Sequence, residues 1–144
     1  MIALLEQPPI QLFMLCAAIL TIKMILTANA TGLVRVLKGV YISPEDYTLV
    51  GKTPLGPDEQ IERIRRAHQN DLENILPFFA VGFLYALTGP SYRVVWWLFV
   101  PFTAARILHT IFYALGLQPW RTLAFEIGNF TLAAIAILLL VKMI

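Results

Sequence analysis

The sequence predicts an all-α membrane protein, a bundle of four transmembrane helices forming a single domain over residues 1–144. Two observations lead to this fold class. Hydrophobic residues make up 58% of the chain and charged residues only 14%, which lies outside the range of soluble globular domains. In addition, four apolar stretches are long enough to cross a bilayer of about 30 Å, which takes about 20 helical residues.

The four predicted helices are separated by residues that end or begin helices. They cover about residues 10–33, 72–88, 94–117 and 122–141. Gly89-Pro90 ends the second helix, because glycine suits a C-terminal turn and proline cannot continue a helix. Gly116 separates the third helix from the fourth, and Pro119 suits the first turn of the fourth. The long connection over about residues 36–60 is rich in proline and glycine and is predicted to be an irregular loop.

The lysines and arginines are concentrated on one side of the predicted membrane. Cytoplasmic loops are enriched in these residues, so this side is expected to be the cytoplasmic one. Its cations are Arg35, Lys38, Lys52, Arg63, Arg65, Arg66 and Arg121, whereas the other side has Arg93 and Lys142. Both termini are then outside or in the lumen. The eleven basic and nine acidic residues nearly cancel, which argues against a nucleic-acid partner.

The start of the second predicted helix, RRAHQNDLENILP over residues 65–77, is unusually polar for a membrane segment. Ionisable groups next to hydrocarbon are expensive unless they face a protein interior or a water-filled cavity. Arg66, Asn70 and Glu73 follow i, i+4, i+7 spacing and therefore share one face of the helix. Asp71 is expected to point away from that face, toward the membrane interface.

The other predicted helices carry polar residues at the same end of the bundle. On the third helix, Arg106, His109 or Thr110, and Tyr113 form a second stripe. The remaining polar positions are Arg35 at the end of the first helix, Lys23 in its middle and Arg121 at the start of the fourth.

Two interpretations of these groups are open. Arg35, Arg63 and Arg65 can be snorkelling side chains at the interface. Lys23, Glu73 and Arg106 can form structural ion pairs, since buried opposite charges often satisfy one another. Against this, four arginines and one acid at one depth exceed what pairing needs. Because guanidinium groups bind carboxylates in bidentate fashion, the excess favours a ligand such as a small zwitterionic peptide.

Three sequence blocks and one turn together resemble a known family. The blocks are RRAHQNDLENILPF, SPEDY at residues 43–47 and ARILHTIFY at residues 105–113, and the turn is Pro-Trp-Arg at residues 119–121. They are similar to the MAPEG family of membrane-associated proteins in eicosanoid and glutathione metabolism. The resemblance covers essentially the whole chain. It is closest to the branch of microsomal glutathione transferases and next to that of prostaglandin E synthases.

The resemblance implies a homotrimer that binds its cosubstrate glutathione between neighbouring subunits, near the cytoplasmic face. It implies that Arg121 stabilises the glutathione thiolate, that Asp46 assists catalysis and that Lys23 lies toward the subunit interface. The residues that would line the glutathione site are Arg35, Arg66, His68, Asn70, Glu73, Arg106, His109 and Tyr113. No metal is expected. Tyr113 could instead be an interfacial anchor and Asp46 a turn residue.

The activity implied by the resemblance is that of a transferase and peroxidase acting on lipophilic electrophiles and hydroperoxides that enter from the membrane. Two alternatives remain, a prostaglandin E synthase-like isomerase and a non-catalytic membrane scaffold. Gln69 stands where the synthase branch has an arginine, and Phe125 where it has a tyrosine. Both departures favour the transferase.

Overall fold

The structure, a computed structural model, describes residues 2–51 and 54–144. Lys52, one of the cations assigned above to the cytoplasmic side, lies outside these residues. Every regular element within them is an α-helix, which confirms the predicted all-α class. The helices are α1 (Ile2–Leu5), α2 (Pro8–Lys38), α3 (Pro44–Leu49), α4 (Glu59–Leu87), α5 (Tyr92–Ala114) and α6 (Gln118–Met143).

The helix ends follow the signals in the sequence. Gly39, Gly89 and Gly116 adopt φ values of 65°, 66° and 71°, which glycine tolerates better than other residues. Each of them follows a long helix and precedes a change of chain direction, as predicted for Gly89 and Gly116. At the start of α4, a carboxylate oxygen of Asp58 accepts hydrogen bonds from the backbone N–H groups of Gln60 and Ile61, at 3.0 and 3.1 Å.

Several boundaries differ from the prediction. α2 ends at Lys38 and not near residue 33, α6 begins at Gln118 and not near residue 122, and two larger differences lie before α4. α4 begins at Glu59, directly after its N-cap residue Asp58, and not near residue 72. Its additional turns are polar and are stabilised by pairs one turn apart, Glu59 with Arg63 and Glu62 with Arg65. Such turns have no apolar signal, so hydropathy alone misses them. The predicted loop also contains a short helix, α3, which begins at Pro44.

Four long helices form the bundle. α4 packs against α2, α5 and α6, while α5 also packs against α2 and α6. By length and composition, α2, α5 and α6 could each cross a membrane. α4, with 29 residues, is long enough as well, but the polar residues of its first half make it too polar to meet the same criterion.

A cluster of aromatic rings forms the core of the bundle. The rings of Phe78 on α4 and Phe102 on α5 stack with centroids 4.3 Å apart, and Phe99 meets Phe78 edge-on at 5.4 Å. Phe13 of α2 completes the cluster, 5.7 Å from Phe78. Gly82 allows this approach, since a Cβ there would lie 3.2 Å from the Phe13 ring. The core therefore fixes α4 against α2 and α5 next to the polar residues described below.

Candidate functional site

A buried ion-paired cluster joins α2, α4 and α5 through one carboxylate. Asp71 of α4 and Arg106 of α5 have no solvent exposure, and Nη2 of Arg106 donates to Oδ1 of Asp71 at 3.3 Å. Nζ of Lys23, from the middle of α2, pairs with the second oxygen of Asp71. Because each partner comes from a different helix, this carboxylate connects three helices at one depth.

Three further polar side chains extend this cluster. The hydroxyl of Thr110, one turn after Arg106, donates to Oδ2 of Asp71 at 3.3 Å. Oδ1 of Asn70 accepts a hydrogen bond from Nη2 of Arg106. Nδ1 of His109 lies 3.5 Å from the same guanidinium nitrogen. We call Lys23, Asn70, Asp71, Arg106, His109 and Thr110 the buried polar cluster.

The guanidinium of Arg106 is only partly satisfied. Its Nε and Nη1 atoms are buried and have no hydrogen-bond partner among residues 2–51 and 54–144. The side chain lies against α6, where a Cβ on Gly128 would be 3.8 Å from Nη1 and 3.4 Å from Cδ. Buried donors without partners are rare in folded proteins, and they are often found at functional sites. The side of Arg106 that faces α6 therefore carries N–H donors that no described residue satisfies.

The position of Asp71 corrects the sequence-based prediction. Asp71 was expected to point toward the interface, but it is completely buried, whereas Glu73, the expected acid, is exposed and accepts from Gln69 at 3.1 Å. The prediction assumed one buried face on the helix, but α4 packs against three helices and so buries more than one face. Lys23 was the available signal, because a cation in the middle of an apolar helix requires an acid at the same depth.

Lys23 and Arg106 therefore take part in structural ion pairs, as one interpretation expects. Their shared acid is Asp71, however, and the expected acid, Glu73, instead accepts a hydrogen bond from Gln69. Lys23 was also expected to lie toward a subunit interface. Its side chain is 11% exposed and its ammonium group pairs with Asp71 of the same chain, so its place at a subunit interface stays a prediction.

A second group of side chains continues from the buried polar cluster toward α6. The rings of His109 and Tyr113 lie 5.6 Å apart, centroid to centroid. Cζ of Arg121, at the start of α6, lies 4.5 Å from the centroid of the Tyr113 ring, within the range of a cation–π interaction. Arg121 also donates to the side chain of Gln118. The predicted stripe on α5 is thus confirmed as one line of contacts from Arg106 to Arg121.

The other predicted site residues do not join this line directly. Arg66 is exposed and donates to the backbone oxygen of Glu62 at 3.2 Å. His68 is partly buried, and Arg35 lies in the last turn of α2. Asp46, on α3, accepts a hydrogen bond from the hydroxyl of Ser43 at 3.1 Å. This short-range bond fits the alternative in which Asp46 is a turn residue, so any role for it in catalysis stays a prediction.

The end of α2 and the start of α4 carry more cations than acids. The cations are Arg35, Lys38, Arg63, Arg65 and Arg66, and three of them form ion pairs with Asp58, Glu59 and Glu62. The pKa of Glu62 lies below its ordinary value, first because Arg65 donates hydrogen bonds to it and then because of the charges of Arg65, Arg66 and Arg35. Arg35 and Arg66 are therefore close enough to influence the same carboxylate, although neither forms an ion pair with it within 4 Å. This end of the bundle therefore has a small excess of positive charge, which favours the approach of an anion.

An apolar cavity of about 420 Å³ lies between α5 and α6. Phe112 and Trp120 line it, with ring centroids 6.4 Å apart, and Leu108 and Leu123 contribute further apolar surface. Phe112 and Trp120 directly precede Tyr113 and Arg121 in the chain. Within the described residues, no three His, Cys, Asp or Glu side chains lie close enough together to hold a metal ion.

Comparison with known proteins identifies the family. The model of the MAPEG family matches residues 13–141 of the chain. The chain belongs to the MAPEG family. Human microsomal glutathione S-transferase 1 is 44% identical over 118 residues, which cover 78% of this MAPEG protein and 76% of the relative. The bovine protein of the same name is 45% identical over 127 residues, 82% of each chain.

A second group of relatives in the same family has a different name. Human prostaglandin E synthase is 36% identical over 142 residues, which cover 94% of this chain and 91% of the relative. Membership confirms the resemblance carried by the sequence motifs. It also establishes that the apolar helices belong to a family of membrane proteins.

Proposed function

We propose that this MAPEG protein is a glutathione-dependent membrane transferase that also reduces lipophilic hydroperoxides. The observation that carries the proposal is the line of contacts from buried Arg106 through His109 and Tyr113 to Arg121. The two guanidinium groups at its ends support an anionic peptide as the ligand in this proposal. The 44% and 45% identity to proteins named microsomal glutathione S-transferase 1 supports glutathione as that peptide.

The chemistry requires a thiolate, because the thiolate and not the thiol is the nucleophile. The pKa of a cysteine thiol is about 8.5, so only a small fraction is ionised at neutral pH. In this proposal Arg121 lies beside the sulfur and favours the anion. No metal takes part. The arginine remains a fixed charge throughout, since guanidinium does not lose its proton in proteins.

Two reactions follow from one thiolate. Attack on an electrophilic carbon forms a C–S bond while the electron pair of the broken bond leaves with the departing group. Attack on a peroxide oxygen breaks the O–O bond and releases an alkoxide, which takes up a proton to become an alcohol. A second glutathione then converts the resulting sulfenic acid to a disulfide and water. Positioning and anion stabilisation are the protein's contribution.

The cavity between α5 and α6 supports a lipophilic second substrate. Its lining by Leu108, Phe112, Trp120 and Leu123 is apolar, as the surfaces of small-molecule sites mostly are. Two of its lining residues, Phe112 and Trp120, directly precede Tyr113 and Arg121 in the chain. A substrate dissolved in the bilayer would enter here, while glutathione arrives from water.

The complete enzyme in this proposal is a homotrimer in which α2, α4, α5 and α6 of each subunit cross the membrane. The glutathione site faces the cytoplasm, as the distribution of lysine and arginine predicts. Arg35, Arg66, His68 and Glu73, which do not join the line of contacts within one chain, would then face glutathione bound between two subunits. Asp46 would approach the same site from α3.

The experiment that tests this function is conjugation of glutathione to 1-chloro-2,4-dinitrobenzene by the purified protein in detergent. The wild type is expected to turn over, and Arg121→Ala to lose roughly a hundredfold in kcat while it still binds glutathione, since it lacks one anion-stabilising group. Arg93→Ala, which removes an exposed arginine at the opposite end of α5, is the matched control and should keep full activity.

Other outcomes identify other functions. If the wild type binds glutathione without turnover, the non-catalytic scaffold is correct. Isomerisation of a prostaglandin endoperoxide without conjugation would establish the synthase alternative. Phe125 argues against that alternative, because its ring, 6.2 Å from His109, has no hydroxyl. If Arg121→Ala keeps full turnover, Arg121 is not the thiolate partner.

A further inference from the structure

The side-chain amide of Asn70 has a defined orientation. Nη2 of Arg106 points at Oδ1 of Asn70. A guanidinium group has only hydrogen-bond donors, so the amide atom that faces it must be the oxygen. The nitrogen of the amide, with its two N–H donors, then lies on the opposite side of the group. Asn70 is partly exposed, so this nitrogen can reach a ligand.

Arg106 is itself held from two sides. Asp71 accepts from Nη2 of Arg106 at 3.3 Å, and both residues are without solvent exposure. On the other side, α6 comes close at Gly128, where even a methyl group would lie 3.4 Å from Cδ of Arg106. The guanidinium therefore has little freedom to turn away from Asn70. Asp71 thus acts on Asn70 through Arg106, although Asn70 is the residue that can contact a ligand.

We propose that Asp71 is a positioning residue that holds Arg106 so that Asn70 turns its amide N–H donors toward bound glutathione. The partner of Asn70 on the peptide is then a hydrogen-bond acceptor, a carboxylate or carbonyl oxygen, and not the amino group. This inference rests on the proposed function, because it concerns the site at which glutathione binds.

The charges in the cluster allow a clean test of this orientation. Lys23 and Arg106 contribute two positive charges, and Asp71 contributes one negative charge. Asn70→Asp keeps an oxygen toward Arg106, and its new negative charge offsets the one excess positive charge of Lys23, Arg106 and Asp71. It also removes the only two N–H donors of the side chain. The folded protein should therefore be at least as stable as the wild type, while the donor to the ligand is lost and a repulsive charge replaces it.

The experiment measures glutathione binding by isothermal titration calorimetry and thermal unfolding by circular dichroism, both in detergent. Asn70→Asp is expected to raise the Kd by roughly tenfold or more, without a lower Tm. Gln7→Glu places the same new charge at an exposed position before α2, outside the predicted membrane segment and at the opposite end of that helix from Arg35, and should change neither quantity. Unchanged or tighter binding by Asn70→Asp would overturn the inference, since it would mean that the amide oxygen or nothing faces the ligand.

Asp71→Asn tests the positioning role itself. Without the carboxylate, Arg106 and Asn70 lose their fixed orientation, so the KM for glutathione should rise roughly tenfold while kcat at saturating glutathione stays within about twofold. Equal loss of kcat, or no change in KM, contradicts the proposal. If Asp71→Asn does not fold, Asp71→Glu, which keeps the charge but moves the carboxylate, replaces it in the same comparison, with the same expected rise in KM. If the wild type itself fails to bind glutathione, the proposed function fails first and the inference falls with it.

Discussion

At the scale of single residues, both carboxylate oxygens of Asp71 are engaged by buried donors, Arg106 on one and Lys23 on the other. A buried ion pair is weak evidence for stability by itself, because desolvation of the charges offsets their attraction. Removing the shared acid is different, because two cations would then remain buried without a partner. Removing Lys23 leaves Asp71 still paired with Arg106.

This asymmetry gives the first prediction on stability. Asp71→Ala should cost about 3–5 kcal/mol of the free energy of unfolding, the range measured when one partner of a buried pair is removed. Lys23→Met, which replaces the ammonium group by an apolar end of similar length, should cost considerably less. The measurement is a denaturant titration in detergent. Equal losses in the two variants would show that Asp71 is not the shared partner of both cations.

The residues of the candidate site were predictable to different degrees. Arg106, His109 and Tyr113 could be found because one helical stripe of polar residues in an apolar helix is visible in the spacing. Asp71 could not, because the spacing on its own helix does not reveal which of several faces is buried. The contact between Tyr113 and Arg121 depends on how α5 and α6 pack against each other. This packing cannot be read from the local sequence of either helix.

At the scale of helices, the first turn of α4 is attached to the last turn of α2. Asp58 caps α4 and also accepts two hydrogen bonds from Nζ of Lys38, at 2.7 and 2.9 Å. The pKa of Asp58 lies below its ordinary value of 3.8, first because of the hydrogen bond from Lys38 and next because of the backbone N–H of Ile61. This carboxylate therefore couples the ends of two helices.

The lowered pKa predicts a pH dependence of stability. A carboxyl group whose pKa is lowered by folding stabilises the folded state fully above its ordinary pKa, and this contribution is lost as the pH falls through the folded-state pKa. Asp58→Ala should therefore lower Tm at neutral pH, and the difference from the wild type should shrink as the pH falls below 3.8. Asp58→Asn, which keeps a cap but no charge, is the control. A difference that does not change with pH would refute the role of the charge.

Close packing of α2 on α4 gives another prediction at the helix scale. A Cβ on Gly82 would lie 3.2 Å from Phe13 and 3.3 Å from Phe78, so Gly82→Val should separate the helices at a cost of about 1–3 kcal/mol. Gly32→Ala is the matched control, because nothing lies within 4 Å of a Cβ there. Thermal unfolding of both variants provides the check. If Gly82→Val is as stable as the control, the aromatic core does not depend on that close approach.

Most helix ends could be predicted, because Gly89, Gly116 and Pro119 act locally. The start of α4 could not, since its first turns are polar and depend on the cap at Asp58 and on ion pairs one turn apart. Hydropathy detects the part of a helix that lies in lipid and misses the part that continues into water.

At the scale of the whole molecule, the bundle combines an end with an excess of cations, a buried polar cluster and an apolar cavity. Arg35, Arg65 and Arg66 lie on the basic end, where a water-soluble anion arrives. The cavity between α5 and α6 is lined by Trp120, which directly precedes Arg121 in the chain. In the proposed function a substrate from the bilayer would enter this cavity. The proposed reaction needs both approaches, because its two substrates differ in solubility.

The central claim is that this protein binds glutathione and holds it as the thiolate. The most direct measurement is the ultraviolet absorbance of the thiolate, recorded as a function of pH with glutathione bound to the protein in detergent. The wild type should show a midpoint clearly below the ordinary thiol value of about 8.5, and Arg121→Ala should bring it back toward that value. A wild-type midpoint at the ordinary value, or no thiolate signal despite bound glutathione, would contradict the account.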